Sequence, residues 1–234
     1  MSCPVQHGES GSAEVFKQAS AETNVPNGSS CPVAAPENDP SNNMPKVAEQ
    51  SVWPGQKETL ATGRVKSTIP KGNFTPPHQQ AVEDEETWVY PSEQQFYNAM
   101  KRKGWDPKER DMSTVVAIHN AVNERTWNQV LKWEKIFHCD CENPRLLRFQ
   151  GRPKDLSPKA RLLSLMGYNP PFDRHDWIVD RCGTEVRYIV DFYRGKQLEG
   201  VPASFHIDAR PALDSGEALK DRVKMTMSEW FSFS

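Results

Sequence analysis

The composition of the chain changes near residue 85, and this change limits how much of the sequence can form a packed core. Residues 1–80 of the 234-residue chain are rich in Pro, Gly, Ser, Asn, Gln and Glu and carry few large apolar side chains. So little apolar surface cannot offset the conformational entropy that ordering the backbone would cost. We therefore predict a disordered arm at residues 1–85 and one folded domain at residues 86–234.

The predicted domain is rich in aromatic residues. It holds six tryptophans, namely Trp88, Trp105, Trp127, Trp133, Trp177 and Trp230. Side chains of this size can build the core of a domain of roughly 150 residues, which is an ordinary domain size.

Charge and hydropathy exclude several classes of protein. The formal net charge of −2 and the lack of a long Lys/Arg block argue against nucleic acid as a partner. No apolar run approaches the roughly 20 residues of a membrane-spanning helix, so we expect a soluble or peripheral protein. The first 40 residues contain no Arg and several acidic residues, which is not typical of a cleavable mitochondrial presequence.

The cysteine pattern does not predict a disulfide scaffold. Five cysteines are present, two of them in the predicted arm, and we expect reduced thiols. His138, Cys139 and Cys141 form part of a zinc pattern. No second close pair supplies the remaining ligands, so zinc is the weaker alternative.

Helical spacing and breakers predict four helices. The first spans Glu93–Lys103 after Ser92, and the longest runs from Thr114 to about Phe137 with Ser113 as its N-cap. A third runs from Pro158 to Met166, with Ser157 as its cap. The fourth begins at Ser215 and places apolar residues at four-residue steps, namely Leu219, Val223 and Met227, followed by Trp230.

Two strands are predicted in the C-terminal half. Residues 185–193 are rich in β-branched and aromatic residues, and residues 204–209 form a second candidate strand after a turn at Arg194-Gly195-Lys196. Residues 139–157 contain Asn143-Pro144 and Gly151-Arg152-Pro153 and are predicted to be irregular. The fold class is therefore α+β, with several helices around a small antiparallel sheet.

His119 is the candidate ligand within the longest predicted helix. At about 100° per residue it shares a helix face with the apolar residues Val115, Val122, Val130, Trp133 and Phe137. One interpretation is a core histidine whose ring nitrogens bond to neighbours. The other is an iron ligand beside the aromatic and aliphatic walls that haem requires.

Extended motifs decide between these interpretations. They include Ile118-His119-Asn120 with Asn123-Glu124 and Trp127, then Trp88-Val89-Tyr90-Pro91-Ser92-Glu93-Gln94, Leu131-Lys132-Trp133-Glu134, Ser157-Pro158 with Ala160-Arg161, and the block from Met166-Gly167-Tyr168 to Tyr193. Over residues 87–193 the chain resembles the mitochondrial holocytochrome c synthase family, also called cytochrome c haem lyase. The resemblance implies a haem-binding part at about 86–140 and a cytochrome-facing part at about 155–234.

The resemblance also implies roles for individual residues. His119 becomes the axial ligand of the haem iron and the catalytic residue. The candidate haem-binding residues beside it are Trp88, Tyr90, Asn120, Glu124, Trp127, Trp133 and Arg181. We expect Arg181 to contact a haem propionate, since guanidinium groups bind carboxylates well.

The charged segment at 173–187 allows two interpretations. Its candidate substrate-facing residues are Asp173, Arg174, His175, Asp176 and Arg187. A carboxylate beside His175 can orient an imidazole for acid–base work, but a turn held by salt bridges has the same composition.

Two identical Cys-Pro-Val triplets lie in the predicted arm. Cys3 and Cys31 resemble the cysteines of haem regulatory motifs, in which a thiolate binds ferric iron. Transient capture of haem and a plain spacer arm remain equal alternatives.

The family joins the two vinyl groups of haem to the thiols of a Cys-x-x-Cys-His segment in apocytochrome c. The resemblance therefore implies a lyase that takes ferrous haem b and apocytochrome c, with cytochrome c1 as a possible second substrate. It also implies a location in the mitochondrial intermembrane space, peripheral on the inner membrane. A haem carrier or sensor and a structural interaction protein are the alternatives from other classes.

Overall fold

The computed structural model describes residues 38–39, 44–45, 49–72, 86–196 and 204–232, with side chains up to residue 228. Its helices are α1 (Glu93–Arg102), α2 (Met112–Phe137), α3 (Pro158–Leu165) and α4 (Gly216–Ser232). A short 3-10 helix, Glu109–Asp111, leads into α2. Among the described residues no helix combines the length and apolar character that crossing a membrane requires.

The strands form three antiparallel sheets in the described part of the chain. They are β1 (Asn38–Asp39), β2 (Met44–Pro45), β3 (Lys66–Pro70), β4 (Thr87–Val89), β5 (Arg145–Gly151), β6 (Asp173–Arg181), β7 (Thr184–Arg194) and β8 (Phe205–Pro211). The first four pair as β1–β2 and β3–β4, and the last four form one sheet in the order β5-β6-β7-β8. This architecture confirms the predicted α+β class.

Alternation along the strands gives the four-stranded sheet two different faces. One face carries the main core, which includes Trp177, Val179, Tyr188 and Val190 and packs against Trp127 and other residues of α2. The opposite face carries charged residues and is partly covered by α3. There Ser157 donates a hydrogen bond to Asp191 (2.6 Å), which also accepts one from Arg210 (2.6 Å).

Local capping explains where α1 and α3 begin. Ser92 and Gln95 form a reciprocal capping box at the start of α1. The hydroxyl of Ser157 accepts a hydrogen bond from the amide of Ala160, and Pro158 is the first residue of α3. The starts of both helices and the predicted cap at Ser157 are confirmed.

The prediction for residues 139–157 was wrong, because β5 lies within that segment. Strand β6 was also missed, and the charged segment that begins at Asp173 is a strand rather than a turn. Pairing with both neighbours of β6 stabilises the extended backbone, and charged side chains two residues apart on this strand pair with each other, as Arg174 does with Asp176.

Two helix details also differ from the predictions. Helix α2 begins at Met112, so Ser113 lies inside it and is not its N-cap. In α4 the predicted apolar row of Leu219, Val223 and Met227 is exposed, whereas Ala218 and Met225 are buried. Asp221 is buried with them, so the buried face of α4 is not its most apolar one.

The packed region extends upstream of the predicted boundary at residue 86. Leu60 packs with Tyr97, Met112 and Val116, and Ile69 belongs to the main core. The amide of Gly72 donates a hydrogen bond to the carbonyl of Leu146 (3.0 Å), beside an isolated bridge between Lys71 and Leu146. A few well-spaced apolar residues are therefore enough to dock a segment whose composition predicted disorder.

The prediction of reduced thiols was wrong for two cysteines. Cys141, just after α2, and Cys182, at the turn between β6 and β7, form a disulfide. Cys139 is free and exposed. The sulfur of Cys141 is committed to this bond, so the zinc alternative at Cys139 and Cys141 also fails.

Candidate functional site

His119 lies in the N-terminal half of α2, and both of its ring nitrogens contact amides of the same helix. Its Nδ1 lies 3.1 Å from Oδ1 of Asn120, and its Nε2 lies 3.2 Å from Nδ2 of Asn123. An amide oxygen only accepts and an amide nitrogen only donates, so the ring carries its proton on Nδ1. The lone pair of Nε2 is thus the one available to a metal ion or another donor.

Two aromatic rings enclose the imidazole. Phe96 from α1 lies edge-on at 4.9 Å between ring centroids, and Tyr90, just after β4, lies at 5.9 Å. Three separate segments, α1, α2 and the end of β4, therefore position the histidine. The result is a partly buried imidazole with apolar walls.

This environment favours the neutral form of His119. Burial lowers the pKa of His119 from 6.5 to about 4, although the hydrogen bond with Asn120 opposes the change. Electrostatic interactions with His175 and Lys103 lower the pKa of His119 further. At neutral pH the ring therefore keeps the lone pair that coordination requires.

A second layer of contacts holds Tyr90 in place. Its hydroxyl donates to Oε1 of Glu124 (2.9 Å), and this same oxygen accepts the backbone amide of Thr68 (3.0 Å). Burial, and then the neighbouring Glu124, raises the pKa of the Tyr90 hydroxyl. The docked segment at 66–70 thus helps to orient a wall of the His119 site.

His175 lies on the core side of β6, the side against which α2 packs. Its Nε2 lies 3.1 Å from Oδ2 of Asp173, and its ring lies edge-on to Phe192 at 5.4 Å. Its Nδ1 is buried and has no hydrogen-bond partner among the described residues. Of the predicted substrate-facing residues, His175 and Asp173 are therefore the two on the side of His119.

The other three predicted substrate-facing residues lie on the opposite face of the sheet. Asp176 accepts hydrogen bonds from Arg174 (2.9 Å) and Arg187 (2.8 Å), and Arg187 also binds Asp214. Alternation along β6 and β7 separates them from His175. The structure thus divides the predicted group into two sets.

Several predicted haem-binding residues are not gathered at His119. Trp88 and Trp127 lie in the main core, and the indole of Trp88 donates to the carbonyl of Leu146 (3.0 Å). The indole of Trp133 donates to the carbonyl of Ala209 (2.9 Å). Of the predicted set, Tyr90, Asn120 and Glu124 surround His119 directly or through one contact.

Arg181 lies at the other end of the domain. Its guanidinium binds both carboxylate oxygens of Glu134 (2.7 and 3.0 Å), and Glu134 lies about 22 Å of helical rise from His119. Arg181 also binds Glu217 (3.2 Å). The predicted contact of Arg181 with a propionate of a haem held by His119 is therefore not supported.

Sequence reasoning missed two neighbours of the imidazole. Phe96 was given no role, and Asn123 was quoted as part of a motif without a role. The spacing of four residues between His119 and Asn123 is the signal that could have identified the second contact. No such signal existed for Phe96, since only the tertiary fold brings α1 against α2.

Cys3 and Cys31 lie outside the described residues. Among the described residues no cluster of three or more His, Cys, Asp or Glu is placed to hold a metal ion. Two clefts of about 440 and 390 Å³ adjoin Arg187, and neither is lined by His119.

Similarity to known proteins supplies the class to which this fold and histidine belong. Residues 1–226 match the family model described as cytochrome c/c1 heme lyase. The chain belongs to the cytochrome c/c1 heme lyase family. The predicted family and its lyase class are thereby confirmed.

Curated relatives agree with this assignment. The chain is 44% identical to the human holocytochrome c-type synthase over 214 residues, covering 86% of this chain and 76% of the relative. It is 49% identical to a putative holocytochrome-c1 synthase of Schizosaccharomyces pombe over 174 residues, covering 74% and 78%. Identity to the holocytochrome-c synthase of Saccharomyces cerevisiae is 40% over 258 residues, covering 98% and 87%. No solved structure matches the chain.

Proposed function

We propose that this chain binds ferrous haem b as a substrate through His119 and joins its vinyl groups to the two thiols of a Cys-x-x-Cys-His segment in an apocytochrome. Family membership supports the reaction class. The neutral imidazole, with Nδ1 fixed by Asn120 and Nε2 carrying the lone pair, is the observation that carries the proposal.

His119 is suited to coordinating iron because protons do not compete for its ring nitrogen. Its lowered pKa keeps Nε2 unprotonated at neutral pH. The amide of Asn123 contacts this nitrogen (3.2 Å) and also donates to the backbone carbonyl of His119 (2.8 Å), so rotation of the Asn123 side chain would free Nε2 with the loss of both contacts. Phe96 and Tyr90 then offer apolar edges to a flat aromatic substrate.

The reaction mainly requires that the thiols and the vinyl groups be held in position. Each thiol adds across a vinyl group, so a carbon–sulfur bond forms and the thiol hydrogen moves to the outer vinyl carbon, with no net oxidation. Holding thiol and vinyl at near-attack distance replaces a large part of the entropic barrier. We propose that His119 fixes one face of the haem, while the histidine of the substrate segment binds the other face.

His175 and Asp173 are the described residues we assign to the substrate side of this site. Both lie on the core side of the sheet, against which α2 packs, and this supports the role, whereas Arg174, Asp176 and Arg187 on the opposite face form ion pairs with one another. Trp88 and Trp127 support the site as core residues.

Apocytochrome c and cytochrome c1 are both proposed as protein substrates. Relatives named for cytochrome c-type and for cytochrome c1 synthesis are similarly close, at 44% and 49% identity. Neither similarity excludes the other substrate, so co-expression with each apocytochrome decides which of the two is preferred.

We propose that the protein works in the mitochondrial intermembrane space, in peripheral contact with the inner membrane. The Cys141–Cys182 disulfide supports an oxidising compartment, because disulfides are rare where thiols are kept reduced. Fractionation of mitochondria, followed by carbonate extraction, tests both parts of this proposal.

Co-expression with apocytochrome c, or with apocytochrome c1, in cells that lack their own maturation system tests the function. Covalent haem is scored on a denaturing gel for the wild type, His119→Ala and the control His206→Ala, which changes an exposed histidine on β8. We expect haem-stained cytochrome from the wild type and the control, and at least tenfold less from His119→Ala.

Haem binding without any covalent product would favour the carrier alternative, and no haem binding at all would favour a structural protein. Equal product from all three proteins would keep the synthase function and remove His119 from it.

A further inference from the structure

Three cysteines lie at the end of α2 opposite His119. Cys141 and Cys182 form the disulfide, and Cys139 is a free, exposed thiol two positions before Cys141. A structural cross-link accounts for the first two cysteines but gives no role to the third.

A tight turn keeps Cys139 within reach of Cys141. The amide of Cys141 donates to the carbonyl of His138 (3.1 Å), which closes a turn over residues 138–141. Two residues of chain span at most roughly 7 Å between Cα atoms, and less within a turn. Bridged cysteines have Cα atoms roughly 4.4–6.8 Å apart, so a Cys139–Cys141 bond is compatible with this backbone.

Cys182 occupies an unusual position for a cysteine. It and Gly183 are the two central residues of the β6–β7 hairpin turn, with φ angles of 47° and 98°. Such turns favour Asn or Gly at the first central position, because a side chain at positive φ is strained. The turn also leaves Cys182 exposed to solution.

Contacts other than the disulfide hold the same two segments together. Arg181, next to Cys182, binds the buried Glu134 of α2 and also Glu217 of α4, and His138 lies 2.8 Å from Asp221 of α4, so both turns are tied to the same two helices. The turn at 138–141 and the hairpin turn therefore stay close when the disulfide opens.

We propose that Cys139, Cys141 and Cys182 form a thiol–disulfide exchange site that reacts with the disulfide of a small thiol or of a Cys-x-x-Cys peptide. Cys139, as its thiolate, attacks Sγ of Cys141. The Cys139–Cys141 bond forms, the Cys141–Cys182 bond breaks, and the electron pair leaves on the sulfur of Cys182. The proton lost by Cys139 to solvent is matched by the one that Cys182 takes up.

The exposed Cys182 then reacts with the external disulfide. As a thiolate it attacks one sulfur of R–S–S–R, which yields a mixed disulfide at Cys182 and releases R–S⁻. Neither step requires a further oxidant or reductant, since each exchanges one disulfide for another. Helix α2 separates this site from His119, so the exchange can be altered without touching the candidate haem ligand.

The test maps thiols and mixed disulfides in the purified, oxidised full chain. Wild type, Cys139→Ser and the control Cys31→Ser are incubated at pH 8, alone, with glutathione disulfide, or with an oxidised Cys-x-x-Cys peptide. Acid quenching, alkylation and peptide mass mapping then assign each cysteine, and circular dichroism confirms that the variants fold.

We expect alkylation of Cys182 and a Cys139–Cys141 cross-link in the wild type and in Cys31→Ser. We also expect Cys182 to form a mixed disulfide with glutathione, with the peptide, or with both. Which reagent reacts shows whether the site takes a small thiol or a Cys-x-x-Cys segment. In Cys139→Ser both signals should fall at least tenfold. Modification confined to Cys139, or equal labelling of Cys182 in Cys139→Ser, would overturn the proposal and leave a structural cross-link.

Discussion

The ionisable groups at the two ends of α2 have opposite surroundings. At one end His119 contacts only amides and aromatic rings, and no opposite charge neutralises its protonated form among the described residues. At the other end the buried carboxylate of Glu134 accepts hydrogen bonds from Arg181 (2.7 and 3.0 Å) and from the hydroxyl of Tyr188 (2.5 Å). A disulfide lies next to this second group.

One end of the helix therefore contributes to stability, and the other end offers a group that can bind a ligand. A matched, buried ion pair resists change, because removing either partner leaves a charge buried without compensation. Replacing a neutral imidazole that has no charged partner should cost little folding stability, but it removes a group that a ligand could bind. We therefore expect changes at the Glu134 end to lower stability, and changes at the His119 end to lower activity.

Glu134→Ala should have the largest effect on stability. It leaves Arg181 and the hydroxyl of Tyr188 without their main partner in the core, and we expect a loss of about 3–5 kcal/mol in the free energy of unfolding. Urea denaturation measures this loss. The matched control is Glu185→Ala, which removes an exposed pair with Arg148 and should cost less than about 1 kcal/mol. Similar losses for both variants would contradict the anchoring role of Glu134.

The double variant Cys141→Ser/Cys182→Ser should have the next largest effect. The bond closes a loop with a sequence separation of 41 residues, so its removal should lower the free energy of unfolding by about 2–4 kcal/mol. The control is the same pair of proteins in the presence of a strong reductant, where the difference should nearly vanish. A difference that persists under reduction would point to the serine side chains and not to the bond.

The pH dependence should reveal the neutral state of His119. Its pKa is about 4 in the folded protein against 6.5 unperturbed, so between these values the unfolded chain binds more protons. The contribution to stability is complete above pH 6.5 and is lost as the pH falls toward 4. From pH 7.5 to 5.5 we expect His119 to account for a loss of about 1 kcal/mol.

Wild type and His119→Gln, compared by urea denaturation at both pH values, isolate this contribution. The variant should show the smaller decrease in stability on acidification. Parallel decreases would mean that His119 is not held neutral by its surroundings.

His119→Gln at pH 7.5 should have the smallest effect on stability. No opposite charge loses its partner, and we expect a change within about 1 kcal/mol. Haem titration followed by absorbance should nevertheless show loss of the histidine-ligated spectrum. Asn123→Ala is the sharper companion, since it frees Nε2 and should retain ligation. A large loss of stability in His119→Gln would remove the contrast between the two ends.

Local rules identified the elements whose signals lie within a few residues. Ser92 and Ser157 marked two helix starts, and the β-branched run at 185–193 marked the centre of β7. Strand β5 escaped because its sequence, Arg-Leu-Leu-Arg-Phe-Gln-Gly, lacks β-branched residues, and pairing with β6 decides its conformation. The cross-link of Cys141 to Cys182 escaped for the same reason, because only the fold brings them together.

The sequence singled out the histidine of the candidate site but not all of the residues around it. Extended motifs singled out His119 and, with it, Asn120 and Glu124. Aromatic character alone did not distinguish Tyr90, beside the imidazole, from Trp88 in the core. Arg181 was assigned by its charge, and its buried partner Glu134 lies in a different element that sequence alone could not pair with it.

The order of the strands bears on the sequence of events during folding. Strands β5 to β8 occupy the sheet in chain order, so each pairing joins neighbours and closes short loops early. The bridge between Lys71 and Leu146 spans a much longer loop, and we expect the segment at 49–72 to dock late. Thr68 of this segment holds Glu124, which holds Tyr90, so the walls around His119 should be completed only in the last steps of folding.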